Sequence, residues 1–185
     1  MAEKTVPNWQ DDAAAMLETF HRDGFVALPE FLNRVEVKEV EDNLNRFIAS
    51  VIPTMPRNQV FYEHLDRPDS LKQIQQMYLH DSFFKELFLD SKFERLAEIL
   101  MEGSVDGKNM QYFNKPAGIG KATPPHQDGY YFMLKPCEAV TMWLALDEVD
   151  EENGCLRYVP GSHLRGIRDH NPTKILGFST VRLHQ

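Results

Sequence analysis

Cysteine is nearly missing from this chain: Cys137 and Cys155 are the only two among 185 residues. So few exclude a disulfide framework and predict a reducing, cytoplasmic setting, with both thiols read as small buried apolar side chains. No apolar run is long enough to span a bilayer. The opening residues, Met1 to Trp9, hold no apolar signal core, and the closing Val181 to Gln185 match no sorting signal. Basic charge is in short supply, with 20 Lys and Arg against 28 Asp and Glu and a net charge of −8. That balance excludes the basic stripe of a nucleic-acid binder. Repeats, low-complexity stretches and linkers are also absent. What is present is an ordinary globular composition, 42% hydrophobic, which predicts one domain over 1–185 with a sizeable core.

The chain changes texture near Gly103. Before it, helical periods dominate. Residues 11–23 carry Met16, Leu17 and Phe20 on one face, with Asp11 or Asp12 as cap and Gly24 in the αL position that ends the helix. Phe25–Leu28 reads as a short buried strand stopped by Pro29. Residues 33–50 form a second helix capped by Asn33, with Val37, Val40, Leu44, Phe47 and Ile48 inward. Pro53, Pro56 and Pro68 break the next stretch, where Phe61-Tyr62 is a candidate strand. Residues 70–101 read as helical segments around Leu71, Ile74, Met77 and Tyr78, then Phe83–Leu89, then Phe93–Met101. After Gly103 periods near two take over. Strands are predicted at Met110–Phe113, Val140–Leu146 and Cys155–Val159, with a loop at Asn114–Ala122, a loop and one more candidate strand within 164–185, an acidic turn at Asp147–Gly154 and a tight turn at Pro160–His163. The fold class is therefore α+β, with a helical part to about residue 105 and a β part after it.

The chemistry centres on Pro124-Pro125-His126-Gln127-Asp128. In extended backbone, residues two apart point to one face. The His126 imidazole and the Asp128 carboxylate then converge on one point. One imidazole and one carboxylate with open positions suit non-haem Fe(II). The two prolines stiffen the approach.

A series of motifs, in order, makes the chain resemble the phytanoyl-CoA dioxygenase family. They are Arg22-Asp23-Gly24-Phe25, Asn114-Lys115-Pro116, His126-Gln127-Asp128, Trp143, Glu152-Asn153-Gly154-Cys155-Leu156 and Val159-Pro160-Gly161-Ser162-His163. The resemblance implies a double-stranded β-helix, a cupin-like jelly roll, behind an N-terminal helical region. It implies Fe(II) as metal, 2-oxoglutarate as co-substrate, O2, and a small organic or acyl-CoA-type substrate whose unactivated C–H is hydroxylated. His126 and Asp128 match the family's first two metal ligands. Trp143 matches an aromatic residue of the co-substrate pocket, with core packing as its other reading. Lys72, on a predicted helix, matches a lysine near 2-oxoglutarate. Gln111 stands where relatives carry Met at that site. Gln127 is expected to point away from the metal, and His163 to serve the Pro-Gly-Ser-His turn rather than the metal. His21, His64, His80, His170 and His184 are read as surface or satisfied histidines. Related halogenases replace the carboxylate with a small residue, so Asp128 favours hydroxylation.

The family closes its site with a later His and a cation that grips the distal carboxylate of 2-oxoglutarate. This sequence stops 22 residues beyond His163. His170, His184, Arg168 and Arg182 lie there without the closing motif. A jelly roll needs about eight strands, and about five are readable after Gly103. The expectation is therefore an incomplete roll, truncated from a longer oxygenase. Two alternatives stand beside it: a short non-catalytic relative that binds or regulates, and a cupin-like isomerase or sugar-binding protein.

Overall fold

The computed structural model describes residues 12–173 and 179–181, the last three by backbone alone. His184, Arg182 and the alternative cap Asp11 lie outside them.

Helix α1 spans Ala13–Asp23. Asp12 occupies its cap position, but its side chain makes no capping hydrogen bond. Gly24 ends the helix at φ 82°, donating its N–H to Phe20 O at 2.7 Å. Helix α2, Arg34–Ser50, opens on a full capping box. Asn33 Oδ1 accepts from the amides of Val35 and Glu36, and Glu36 Oε2 accepts from the Asn33 amide at 2.8 Å. Its buried face is Val40, Leu44 and Phe47.

A three-stranded antiparallel sheet follows: β1 (Val60–Tyr62), β2 (Leu71–Ile74) and β3 (Tyr112–Phe113), with β2 central. Val60 pairs with Ile74, and Ile74 with Tyr112. The helix expected around Leu71 and Ile74 is thus a strand. Their three-residue spacing imitates a helix face, but pairing on both sides overrides that local preference. Lys72, expected on that helix, sits in β2 with a relative exposure of 5%. Helices α3 (Ser82–Phe88) and α4 (Lys92–Leu100) fall within a residue of expectation, capped by Asp81 and Ser91.

The core has two centres. Leu44, Phe47, Met55, Leu71, Ile74, Met77 and Phe84 join α2, α3 and the sheet. Met16, Leu96 and Leu100 join α1 to α4 and receive Val26, Leu28, Val140 and Met142.

Beyond residue 113, the regular elements among the described residues are helix α5 (Asp128–Phe132), a short 3-10 helix (Ser162–Arg165) and a ribbon of β4 (His170–Pro172) and β5 (Ser179–Val181). Phe25–Leu28, Val140–Leu146 and Cys155–Val159, expected as strands, carry no strand pairing among the described residues. Residues 140–146 nevertheless alternate half-buried and exposed, one side packed on the core. Cys155 is half-buried but Cys137 is exposed, against expectation, and both are free thiols. The fold is mixed α+β with small antiparallel sheets.

Candidate metal and co-substrate site

Gln127 is extended, at φ −118° and ψ 123°, and Asp128 begins α5. The side chains on either side of Gln127 meet: His126 Nε2 lies 3.2 Å from Asp128 Oδ1. His126 Nδ1–H donates to the Pro124 carbonyl at 2.8 Å. That bond fixes the ring orientation and leaves Nε2 facing the carboxylate, the usual way a backbone acceptor aims a metal-binding imidazole. Asp128 Oδ2 accepts from Thr141 Oγ1 at 3.2 Å. The hydrogen bond that His126 donates to Asp128 raises the His126 pKa against the opposing effect of burial, and the same bond holds Asp128 below the usual carboxylate range. Tyr131 stands edge-on to His126 with ring centres 6.0 Å apart.

The donors fit a divalent cation in part. An imidazole nitrogen and a carboxylate oxygen, each steadied from behind, are the right chemistry for Fe(II). Among the described residues, no third His, Cys, Asp or Glu joins them in a cluster of three.

Of the other expected residues, Trp143 shares a side with a partner of this pair, while Lys72 and Gln111 bond elsewhere. Thr141 and Trp143 fall on the exposed positions of the alternating segment 140–146. Trp143 is 48% exposed and so shares the side from which Thr141 reaches Asp128. Lys72 Nζ pairs with Glu63 Oε1 at 3.0 Å inside the sheet. Gln111, just before β3, accepts at Oε1 from Gln73 Nε2 of β2 at 2.8 Å. Tyr158 stacks on Phe25 with ring centres 5.0 Å apart. Burial, and secondarily the Asp128 charge, raise its pKa.

The remaining motifs close on one another. Gly161 N–H donates to Asp23 O at 2.9 Å, and His163 Nε2–H donates to His21 O at 3.0 Å. Lys115 Nζ donates to Gly154 O at 2.7 Å, joining the Asn-Lys-Pro and Glu-Asn-Gly segments. The His163 ring thus ties the Pro-Gly-Ser-His turn to α1, and the Gln127 side chain is held by residues 166–168. Gln127 Nε2 donates to Gly166 O at 3.0 Å, and its Oε1 accepts from Arg168 N–H at 2.8 Å. His170, read from the sequence as a surface or satisfied histidine, is a satisfied one placed beside the pair. Its Nε2 accepts the Gln127 amide at 3.0 Å, and its ring stacks on Tyr130 with centres 4.1 Å apart. No local motif marks it.

The phytanoyl-CoA dioxygenase (PhyH) family model matches residues 20–176. The chain belongs to the phytanoyl-CoA dioxygenase family. Among its relatives, a phytanoyl-CoA dioxygenase of Arabidopsis thaliana is 27% identical over 184 residues, covering 82% of this chain and 65% of that protein. A phytanoyl-CoA dioxygenase domain-containing protein 1 homolog of Caenorhabditis briggsae is 24% identical over 199 residues, covering 84% and 69%. The peroxisomal phytanoyl-CoA dioxygenase of Mus musculus is 38% identical over 65 residues, or 33% of this chain and 19% of the relative. The chain thus spans about two thirds of the length of the first two relatives. Members of the phytanoyl-CoA dioxygenase family are dioxygenase-type oxidoreductases with a jelly-roll fold; the described residues of this chain show mixed helix and sheet with small antiparallel sheets. Among the described residues, no helix is long and apolar enough to cross a membrane.

Proposed function

We propose that this chain carries the metal-binding and co-substrate-binding part of an Fe(II)- and 2-oxoglutarate-dependent oxygenase that hydroxylates an unactivated C–H of a small organic or acyl-CoA-type substrate. The observation that carries the reading is the His126–Asp128 pair, convergent at 3.2 Å and steadied from behind by the Pro124 carbonyl and the Thr141 hydroxyl. His126 through Nε2 and Asp128 through Oδ1 would hold Fe(II). When bound, the iron supplies the activation of O2, coupled to oxidative decarboxylation of 2-oxoglutarate to succinate. The protein orients and excludes water. Thr141 keeps Asp128 turned towards His126. Trp143 offers an aromatic wall on the same side, and Lys72 and Gln111 contribute from the sheet. Residues 1–185 act as one domain in this reading. The free thiols of Cys137 and Cys155 support a reducing compartment such as the cytoplasm.

A second reading, a binding or regulatory relative without turnover, is favoured by one observation: no third His, Cys, Asp or Glu joins the pair among the described residues.

An anaerobic titration with Fe(II) and then 2-oxoglutarate separates the two. A visible charge-transfer band that disappears in His126→Ala and in Asp128→Ala supports the oxygenase site. A folded chain without the band belongs to the second reading.

A further inference from the structure

The bend between the two proposed ligands is held from outside. Gln127 separates His126 from Asp128, and its amide and both polar atoms of its side chain are engaged by one downstream segment. The amide donates to His170 Nε2 at 3.0 Å. The side chain donates to Gly166 O at 3.0 Å and accepts from Arg168 N–H at 2.8 Å. An amide N–H can donate only to an unprotonated ring nitrogen, so the His170 proton sits on Nδ1. There it donates to Arg168 O at 2.8 Å. The ring is further held by its stack on Tyr130 in α5, at 4.1 Å and 17°. His170 is also the first residue of β4, where it pairs with Val181 of β5.

Resting on the proposed metal site, we propose that His170 is a positioning residue for it, acting through the Gln127 amide. A rotation of the Gln127 peptide would swing His126 and Asp128 relative to one another, since the two side chains hang on either side of it. A hydrogen bond to that amide, together with a two-point grip on the same residue's side chain, opposes the rotation. His170 contributes no donor of its own in this arrangement, because its Nε2 lone pair is taken. The ribbon of β4 and β5 therefore bears on metal affinity without touching the metal. Groups that orient ligands from behind are typically worth about 10–100-fold in affinity.

The test uses the full chain, anaerobic, with Fe(II) titrated in the presence of saturating 2-oxoglutarate and read by the charge-transfer band. His170→Phe keeps an aromatic ring against Tyr130 but removes both hydrogen bonds. Its apparent Fe(II) Kd is expected to rise about 10–100-fold. His170→Gln, with an acceptor and a donor, is expected to recover part of that loss. Asp81→Ala, a destabilising change in the helical half, should leave the Kd at the parental value, so that lower stability alone is not the cause. A folded His170→Phe with parental Kd overturns the inference and leaves the metal site standing. No band in the parent chain overturns the metal site and the inference together. Should His170→Phe fail to fold, His170→Asn, whose amide can take the place of Nδ1 but is too short to supply an acceptor at Nε2 for the Gln127 amide, carries the same test: a raised Kd supports the inference and a parental Kd overturns it.

Discussion

Lys72 Nζ lies 3.0 Å from Glu63 Oε1, with only 7% and 10% of the two side chains exposed. A pair this enclosed does little for stability relative to well-packed apolar residues, yet breaking it leaves one buried charge. Lys72→Met alone is expected to cost about 3–5 kcal/mol in urea unfolding, and Lys72→Met with Glu63→Leu to recover most of that. The double variant also separates two roles for Lys72. If the ammonium serves 2-oxoglutarate as well as Glu63, the restored fold will still bind the co-substrate more weakly. If it serves the sheet alone, co-substrate binding returns with stability.

Gly24 connects the helical half to the Pro-Gly-Ser-His turn. Its φ of 82° is costly for any residue with a Cβ, and a Cβ there would collide with the His163 ring. Gly24→Ala is therefore expected to lose roughly 1–3 kcal/mol from backbone strain, with a further loss from the collision. His163→Ala makes room, so the double variant should be more stable than the sum of the two single changes predicts. Additive losses would show that the ring simply moves aside.

Asp81 caps α3 by accepting from Phe84 N–H and receives Arg46 through two hydrogen bonds, at 2.8 and 3.0 Å. The Arg46 hydrogen bond holds its carboxyl below the ordinary range. A carboxyl with a lowered folded pKa binds its proton more weakly folded than unfolded. Its contribution is then complete above the unfolded carboxyl pKa, and is lost as pH falls through the folded value. Asp81→Asn keeps a capping side chain but is expected to flatten this acid limb of the stability curve. Asp81→Ala also removes the cap, a further loss of about 0.5–2 kcal/mol.

Much of the helical half was legible because its signals are local. The Asn33 to Glu36 capping box, the Gly24 stop and the apolar face of α2 each lie within a few helical turns. The His126–Asp128 convergence was legible for the same reason, since the one extended residue between them, Gln127, decides it. Leu71–Ile74 misled because its apolar spacing suits a helix, while pairing with β1 and β3, distant in sequence, decides the outcome. His170 was illegible because its partner, Gln127, lies 43 residues earlier and no short pattern connects them. The same limit applies to Lys72, where a lysine expected on a solvated helix is instead buried in a strand against Glu63.

Trp143 offers the sharpest choice between packing and function. It is 48% exposed, on the same alternating side as Thr141, whose hydroxyl holds Asp128 at 3.2 Å. A core Trp cut to Ala costs about 3–5 kcal/mol. An exposed one away from other special features changes stability by only about 0.5 kcal/mol. Trp143→Ala is expected near the lower figure, with the Fe(II) affinity retained and the 2-oxoglutarate affinity reduced. Thr141→Val, nearly the same shape without the hydroxyl, should do the reverse. Freed from its hydrogen bond, Asp128 loses its preferred orientation, and Fe(II) affinity should fall, within the roughly 10–100-fold range typical of such supporting contacts. Paired titrations of the two variants would distinguish the sides of the site. If Trp143→Ala instead unfolds at much lower urea, the ring is packing after all, and the co-substrate wall must be sought elsewhere on that exposed face.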